Sequence, residues 1–151
     1  MGDELKITRR HLPHWTIDGA VYFVTFRSNF ILRPEERTIV LNHLLEGNDK
    51  YYTLIAAVIM PDHAHILIFP KKGYPLDRIM RGIKGVSARK INQYRKSSGQ
   101  IWQHESYDHI VRDGIELRQK FDYLANNPVK EELVENTISY VGWYCNDQII
   151  I

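Results

Sequence analysis

An α+β fold built on one antiparallel sheet is predicted for this chain, on three features of its sequence. Runs rich in β-branched and aromatic residues are interspersed with segments of helical apolar spacing. Two strand-like runs, 51–60 and 64–69, are separated by little more than Pro61-Asp62, so they can only pair as an antiparallel hairpin. Two strands in direct succession, followed by a long helix and another strand, also break the strict alternation that a parallel sheet requires.

The elements follow in order. Gly19 opens Ala20 to Arg27, a first strand so apolar that both of its faces are expected to be covered. Pro34 suits the first turn of a helix, and Glu35 and Glu36 sit near its positive end. Ile39, Val40, Leu44 and Leu45 continue at helical spacing until Gly47-Asn48-Asp49. Tyr51 to Met60 is the second strand, and Ala64 to Phe69 is the third. Leu76 begins a helix running to about Ser97, with Leu76, Ile79, Met80, Ile83, Val86 and Ile91 expected on its buried side. Ile101 to Gln103 and Tyr107 to Val111 read as one broken or bulged strand. Asp113 is a plausible N-cap with Glu116 as its capping-box partner. The helix that follows has Ile115, Leu117, Phe121 and Leu124 as its apolar members. It is expected to stop at Asn126-Asn127-Pro128, because a residue before proline is pushed away from the α region. Ile138 to Tyr144 is expected to be a packing segment, and Ile149 to Ile151 is an apolar end able to join a sheet edge or a partner. The resulting β-α-β-β-α-β order matches the ferredoxin-like arrangement, with the first and third strands central and an additional C-terminal helix. Residues 1–18 form a basic arm, and residues 19–151 form a single domain.

Composition narrows the function classes. Apolar residues make up 44% of the 151 and charged residues 25%, which suits a packed core and argues against wholesale disorder. The single cysteine, Cys145, excludes an internal disulfide and any Cys-rich zinc module. No apolar run approaches the ~20 residues that span a bilayer, and the polar start is unlike a signal peptide. A cytoplasmic protein with no membrane partner is the expectation. Formal net charge is only +2, so nucleic-acid binding rests on local clusters. The helix 76–97 is such a cluster: Lys84, Arg89 and Lys90 are among its cations, and no acid occurs between Asp77 and Glu105. Arg9 and Arg10 in the arm form another.

His63 and His65 are the residues with the clearest chemical content. At positions i and i+2 of a strand they share a face, with Cα atoms ~7 Å apart, close enough for both rings to meet one metal ion. Two imidazoles leave such an ion open for a third ligand. Spacing does not choose among His104, Glu105, His109, Asp122, Asn126 and Asn127. Asp62 is adjacent but points to the other face if the strand begins there. On the last helix, Tyr123 and Asn127 lie one turn apart on one side. A tyrosine hydroxyl can attack a phosphodiester when a metal polarises the phosphate. An ordinary core aromatic is the alternative role for Tyr123.

A resemblance sharpens these options. Pro61-Asp62-His63-Ala64-His65-Ile66-Leu67 is similar to the His-hydrophobic-His (HUH) motif of single-strand DNA nucleases. Arg9 to Trp15, Tyr22 to Phe26, Trp102-Gln103, Tyr107 to Asp113 and Phe121 to Lys130 resemble the REP-associated tyrosine transposases. These are relatives of the single-tyrosine insertion-sequence transposases. The resemblance implies that 19–151 is an HUH transposase/nuclease domain holding Mg²⁺ or Mn²⁺. It implies a metal site made by His63, His65 and Asn127, the last standing where insertion-sequence relatives carry Gln. It makes Tyr123 the nucleophile, giving a 5′-phosphotyrosine link and a free 3′-hydroxyl. Single-stranded or hairpin DNA is the implied partner, held by Arg9, Arg10, Lys84, Arg89 and Lys90. Insertion-sequence relatives are dimers that can share active sites, so a homodimer is also implied. Relatives often carry a basic C-terminal tail; here Tyr140 to Ile151 is neutral to acidic. The alternatives are a domesticated protein that binds hairpin DNA without cutting it, and a small metal-dependent phosphohydrolase.

Overall fold

The computed structural model describes residues 19–149. Arg9 and Arg10 of the basic arm, and Ile150 and Ile151, lie outside them. The elements are β1 (Val21–Ser28), α1 (Pro34–Gly47), β2 (Tyr52–Ile59), β3 (His63–Pro70), α2 (Leu76–Arg95), β4 (Trp102–Val111), α3 (Gly114–Lys130) and β5 (Trp143–Cys145). The sheet order is β4-β1-β3-β2-β5 and every neighbouring pair is antiparallel. Its first four strands have the ferredoxin-like order, with β1 and β3 in the middle.

Strand alternation divides the apolar side chains into two cores. Val24, Phe26, Ala64, Ile66 and Ile68 face α1 and α2, against Val40, Leu44, Ile79, Ile83 and Ile91. Phe23, Leu67 and Phe69 face the other way, against Leu117, Phe121 and Leu124 of α3. This explains why β1 and β3 are apolar on both faces through most of their length, with polar side chains gathered where the first strand ends and the third begins. In β2 the pairing shifts between Leu54 and Ala56, so Leu54 and Ala57 fall on one face and Ile55 and Ala56 on the other. The β1–β4 pairing also shifts, between Phe26 and Ser28, which bears out the bulge expected around residues 103–107.

Three segments differ from expectation. The last helix does not stop at Asn126-Asn127-Pro128 but continues to Lys130 with Pro128 inside it. The proline falls near the helix end, where it removes one backbone bond, and the burial of Asn127 and Pro128 outweighs that loss. Beyond it, Glu131 N–H still donates to the Asn127 carbonyl at 3.0 Å. The segment 138–144 packs as expected but leads into an unexpected strand, since Trp143–Cys145 adds β5 to the free edge of β2. Buried Tyr140 anchors it, its hydroxyl donating to the Ile59 carbonyl at 2.7 Å. Gly142 follows, and a Cβ there would stand 2.5 Å from the Ile59 carbonyl oxygen, so only glycine fits. The third difference is at the start of α3. Asp113 accepts from Glu116 N–H at 2.8 Å as an N-cap, but the Glu116 carboxylate accepts from Arg112 N–H at 2.7 Å rather than from the cap itself.

Glu36 ties α1 to the end of α2. It is fully buried, accepts from Arg33 N–H at 2.7 Å and is ion-paired to Arg95. Burial alone would raise its carboxyl, but the bonds from Arg95 and the Arg33 backbone outweigh it and hold the group below the usual carboxylate range. A depressed carboxyl stabilises the fold above its ordinary unfolded-state value, and that contribution is lost as pH falls through the folded-state value. Glu36→Gln is therefore expected to cost about 2 kcal/mol or more in urea unfolding at neutral pH. The gap from the parent should narrow as the buffer is acidified; a constant gap would mean that the carboxylate charge is not what Glu36 contributes.

Candidate functional site

The β1–β3 ladder sets Thr25 opposite His65 and Arg27 opposite His63. Thr25, Arg27, His63 and His65 share the face covered by α3. The two imidazole centroids are 4.7 Å apart. His65 is 4% exposed, stacks on Phe23 at 5.3 Å, and has its Nδ1 2.7 Å from Thr25 Oγ1. Its other nitrogen, Nε2, is buried and has no hydrogen-bond partner among the described residues. Burial, aided by the nearby positive potential of His63 and Arg27, lowers the His65 pKa to about 3. The ring is thus neutral at ordinary pH, the state in which a ring nitrogen can bind a metal. His63 has its Nδ1 2.7 Å from Asp62 Oδ1. The condition under which Asp62 would point to the other face is not met, because Asp62 lies in the bend before β3, where strand alternation does not yet apply.

Helix α3 lays Tyr123 across this pair. The Tyr123 ring is 5.2 Å from His65 and 6.0 Å from Phe23, and it is 50% exposed, so it is not a core aromatic. Asn127, one turn later, is buried, and its amide nitrogen makes a long 3.4 Å contact to the Tyr123 carbonyl. That leaves the amide oxygen as the atom suited to a hard cation. Arg27, Asp62, His63, His65, Tyr123 and Asn127 all line one cleft of about 460 Å³. Of the other ligand candidates, His109 is engaged with Glu116 at 2.9 Å and Asp122 lies 3.6 Å from Arg118. His104, Glu105 and Asn126 do not line the cleft. Among the described residues no group of three or more His, Cys, Asp or Glu side chains is placed to hold a metal. Two histidines and an amide remain, and the orphaned Nε2 of His65 makes that set a fit for a divalent cation.

The basic residues expected to hold DNA are not gathered here. Lys84, Arg89 and Lys90 are on α2, which packs on the opposite face of the sheet. Lys84 Nζ donates to the Gln103 and His104 carbonyls at 2.7 and 3.0 Å, and Lys90 Nζ pairs with Glu46 at 2.8 Å. Arg89 is exposed. The cations at the cleft are instead Arg27 and Lys130, with Lys120 in an adjoining cleft. Sequence reasoning passed over all three. The signal for Arg27 was its place two residues from Thr25 on a strand, and for Lys120 its place one helical turn before Tyr123.

Comparison with known proteins shows the family. Residues 21–127 match the family described as "Transposase IS200 like". The chain belongs to this family of IS200-like transposases. It is 27% identical to a Haemophilus influenzae protein provisionally named REP-associated tyrosine transposase, over 78% of this chain and 74% of that protein. A solved REP-associated tyrosine transposase, bound to a REP hairpin, superposes with a TM-score of 0.66 at 23% identity, over 84% of this chain and 77% of that one. A Deinococcus radiodurans protein provisionally named a transposase gives 0.52 at 17% identity, over 76% of this chain and 95% of that one. These two structures share its fold. Among the described residues of this IS200-like chain, no helix is long and apolar enough to cross a membrane.

The state of His65 is directly measurable. In ¹⁵N NMR titration its ring is expected to stay neutral as pH falls well below the ordinary histidine range, toward about 3. Thr25→Val should disturb the balance between its two tautomers, since Nδ1 loses its partner. A His65 ring that charges near pH 6.5 would mean that it is not buried as described.

Proposed function

We propose that this transposase-family chain cleaves and rejoins single-stranded DNA next to hairpins, with Tyr123 as the nucleophile and a divalent cation, Mg²⁺ or Mn²⁺, at His63, His65 and Asn127. The observation that carries the proposal is the exposed Tyr123 ring 5.2 Å from a neutral, buried His65 whose Nε2 has no partner among the described residues. The hairpin partner is inferred from the REP hairpin held by the similarly folded relative.

The chain's own residues have distinct parts in the reaction. Thr25 holds His65 through Nδ1, and Asp62 does the same for His63, so each imidazole presents its far nitrogen to the cleft. Asn127 offers its amide oxygen from the same helix that carries Tyr123, which couples the position of ligand and nucleophile. When bound, a divalent cation supplies charge stabilisation for a phosphodiester in its transition state. The Tyr123 hydroxyl releases its proton to water as its oxygen attacks phosphorus, the bond to the 3′ oxygen breaks, and that oxygen takes a proton from water and leaves as a 3′-hydroxyl. Because the new phosphotyrosine bond keeps the linkage energy, the reverse attack by a 3′-hydroxyl can join strands. Arg27 contributes fixed positive charge beside the cleft. Exposed Arg89 on α2 remains a contact for a duplex stem, with Lys84 and Lys90 able to serve only by giving up the partners they hold. Arg9 and Arg10 are proposed to reach the same DNA from the arm.

The four central residues line a cleft within one chain, which supports action in cis even if two copies associate. Incubation with labelled hairpin-flanked single strands and Mg²⁺ should give a covalent protein–DNA species. Tyr123→Phe should abolish it. His65→Ala should slow it by at least about a hundredfold, and Asn127→Ala should raise the Mg²⁺ concentration needed. Binding with no adduct on any substrate would favour a non-catalytic hairpin-binding protein. Cleavage by Tyr123→Phe would point to water as nucleophile. Mixing Tyr123→Phe with His65→Ala protein should not restore the adduct; restoration would show that the two groups act across subunits.

A further inference from the structure

A second cleft, of about 340 Å³, opens on the other side of His65 and Tyr123, between β1, β4 and α3. Its lining includes Arg27, Lys120 and Tyr107. Thr25 is the cross-strand partner of both His65 and Tyr107, so Tyr107, Thr25 and His65 form one row across three strands. Tyr107 is 60% exposed although it sits in the sheet. Arg27 lies at the β1–β4 irregularity, between Phe26, which pairs with Ser106, and Ser28, which pairs with Trp102. It therefore has no partner on β4, and such irregularities re-aim side chains near active sites. Arg27 is exposed, makes no ion pair or hydrogen bond among the described residues, and lines both clefts. Lys120 lies 5.1 Å from the Phe23 ring on the far side. Two cations flanking an exposed aromatic, immediately beside a nucleophile, suit a single nucleotide better than a duplex, whose bases are already stacked.

We infer that this cleft seats one nucleotide of the single strand next to the scissile phosphate, with its backbone phosphates on Arg27 and Lys120 and its base on Tyr107. The inference rests on the strand-cleavage reading for what lies next door, but the contacts are independent of cleavage. Arg27 and Lys120 act as point charges on the backbone, so their contribution is salt-dependent and indifferent to base identity. Tyr107 acts by stacking, so its contribution is nearly independent of salt.

The two kinds of contact can be separated with a short fluorescein-labelled oligothymidine and the full chain carrying Tyr123→Phe, with binding followed by anisotropy over a salt series. Adding Arg27→Gln and Lys120→Gln together should make the negative slope of log affinity against log salt shallower by about 1.4, or about 0.7 for each phosphate released on a single strand. Tyr107→Leu should weaken binding by about fivefold or more with the slope unchanged, and Tyr107→Trp should retain it. An unchanged slope in the double variant, or full affinity in Tyr107→Leu, would overturn the inference. Adduct formation by the parent chain alongside an unchanged slope would leave the cleavage site standing and remove only this cleft. A reduced slope with no adduct would do the reverse.

Discussion

The pairing of Thr25 with His65 across β1 and β3 is the contact on which the site depends. It sets the register of the two central strands, satisfies one nitrogen of a buried imidazole and leaves the other nitrogen directed away from it. A slip of one residue would turn both histidines to the α1–α2 face and bury them among aliphatic side chains. The apolar positions on either side oppose such a slip, because Val24, Phe26, Ala64 and Ile66 would then lose their core as well. The register that packs the protein is thus the same register that aims its chemistry.

The second constraint is the division of labour between sheet faces. Helices α1 and α2 cover one face and α3 covers the other. The α3 face is only partly closed, since one helix cannot span five strands. The uncovered strip beside it exposes Tyr123, Arg27 and Tyr107. A partly covered sheet face supplies rigid backbone for orienting side chains while leaving space for an extended substrate. The basic helix α2, by contrast, points its charge away from this strip, and two of its cations are already bonded to the protein.

Proline 128 shows how tertiary packing alters local preference. By its own chemistry it argues for a helix end at Asn127. In the folded chain the helix runs on to Lys130, with Asn127 and Pro128 buried against the sheet side of α3. Asn127 is consequently a helical residue facing the same cleft as Tyr123, one turn away, rather than a loop residue free to swing. The fifth strand has a similar origin. The run around Trp143 has no clear alternation, but the edge of β2 offers unpaired backbone groups, and the Tyr140 hydroxyl and Gly142 bring the chain close enough to use them.

Most of the architecture was legible in residue patterns. Hydrophobic periodicity and turn chemistry determined the six-element order, the β2–β3 hairpin and the placement of His63 and His65 on a central strand. They did so because these are local signals, readable within a few residues of themselves. The likeness of several short motifs to tyrosine transposases named the candidate nucleophile and ligands. Contacts between residues far apart in sequence were decided only in three dimensions. The placement of Asn127, and not of His109 or Asp122, at the cleft, the turning of Asp62 toward His63, the pairing of Lys84 and Lys90 with the protein itself, and the gathering of Arg27 and Tyr107 beside Tyr123 all depend on strand register and on which sheet face each helix covers. Neither quantity is encoded in any single segment, because each is set by the joint packing of two cores on one sheet.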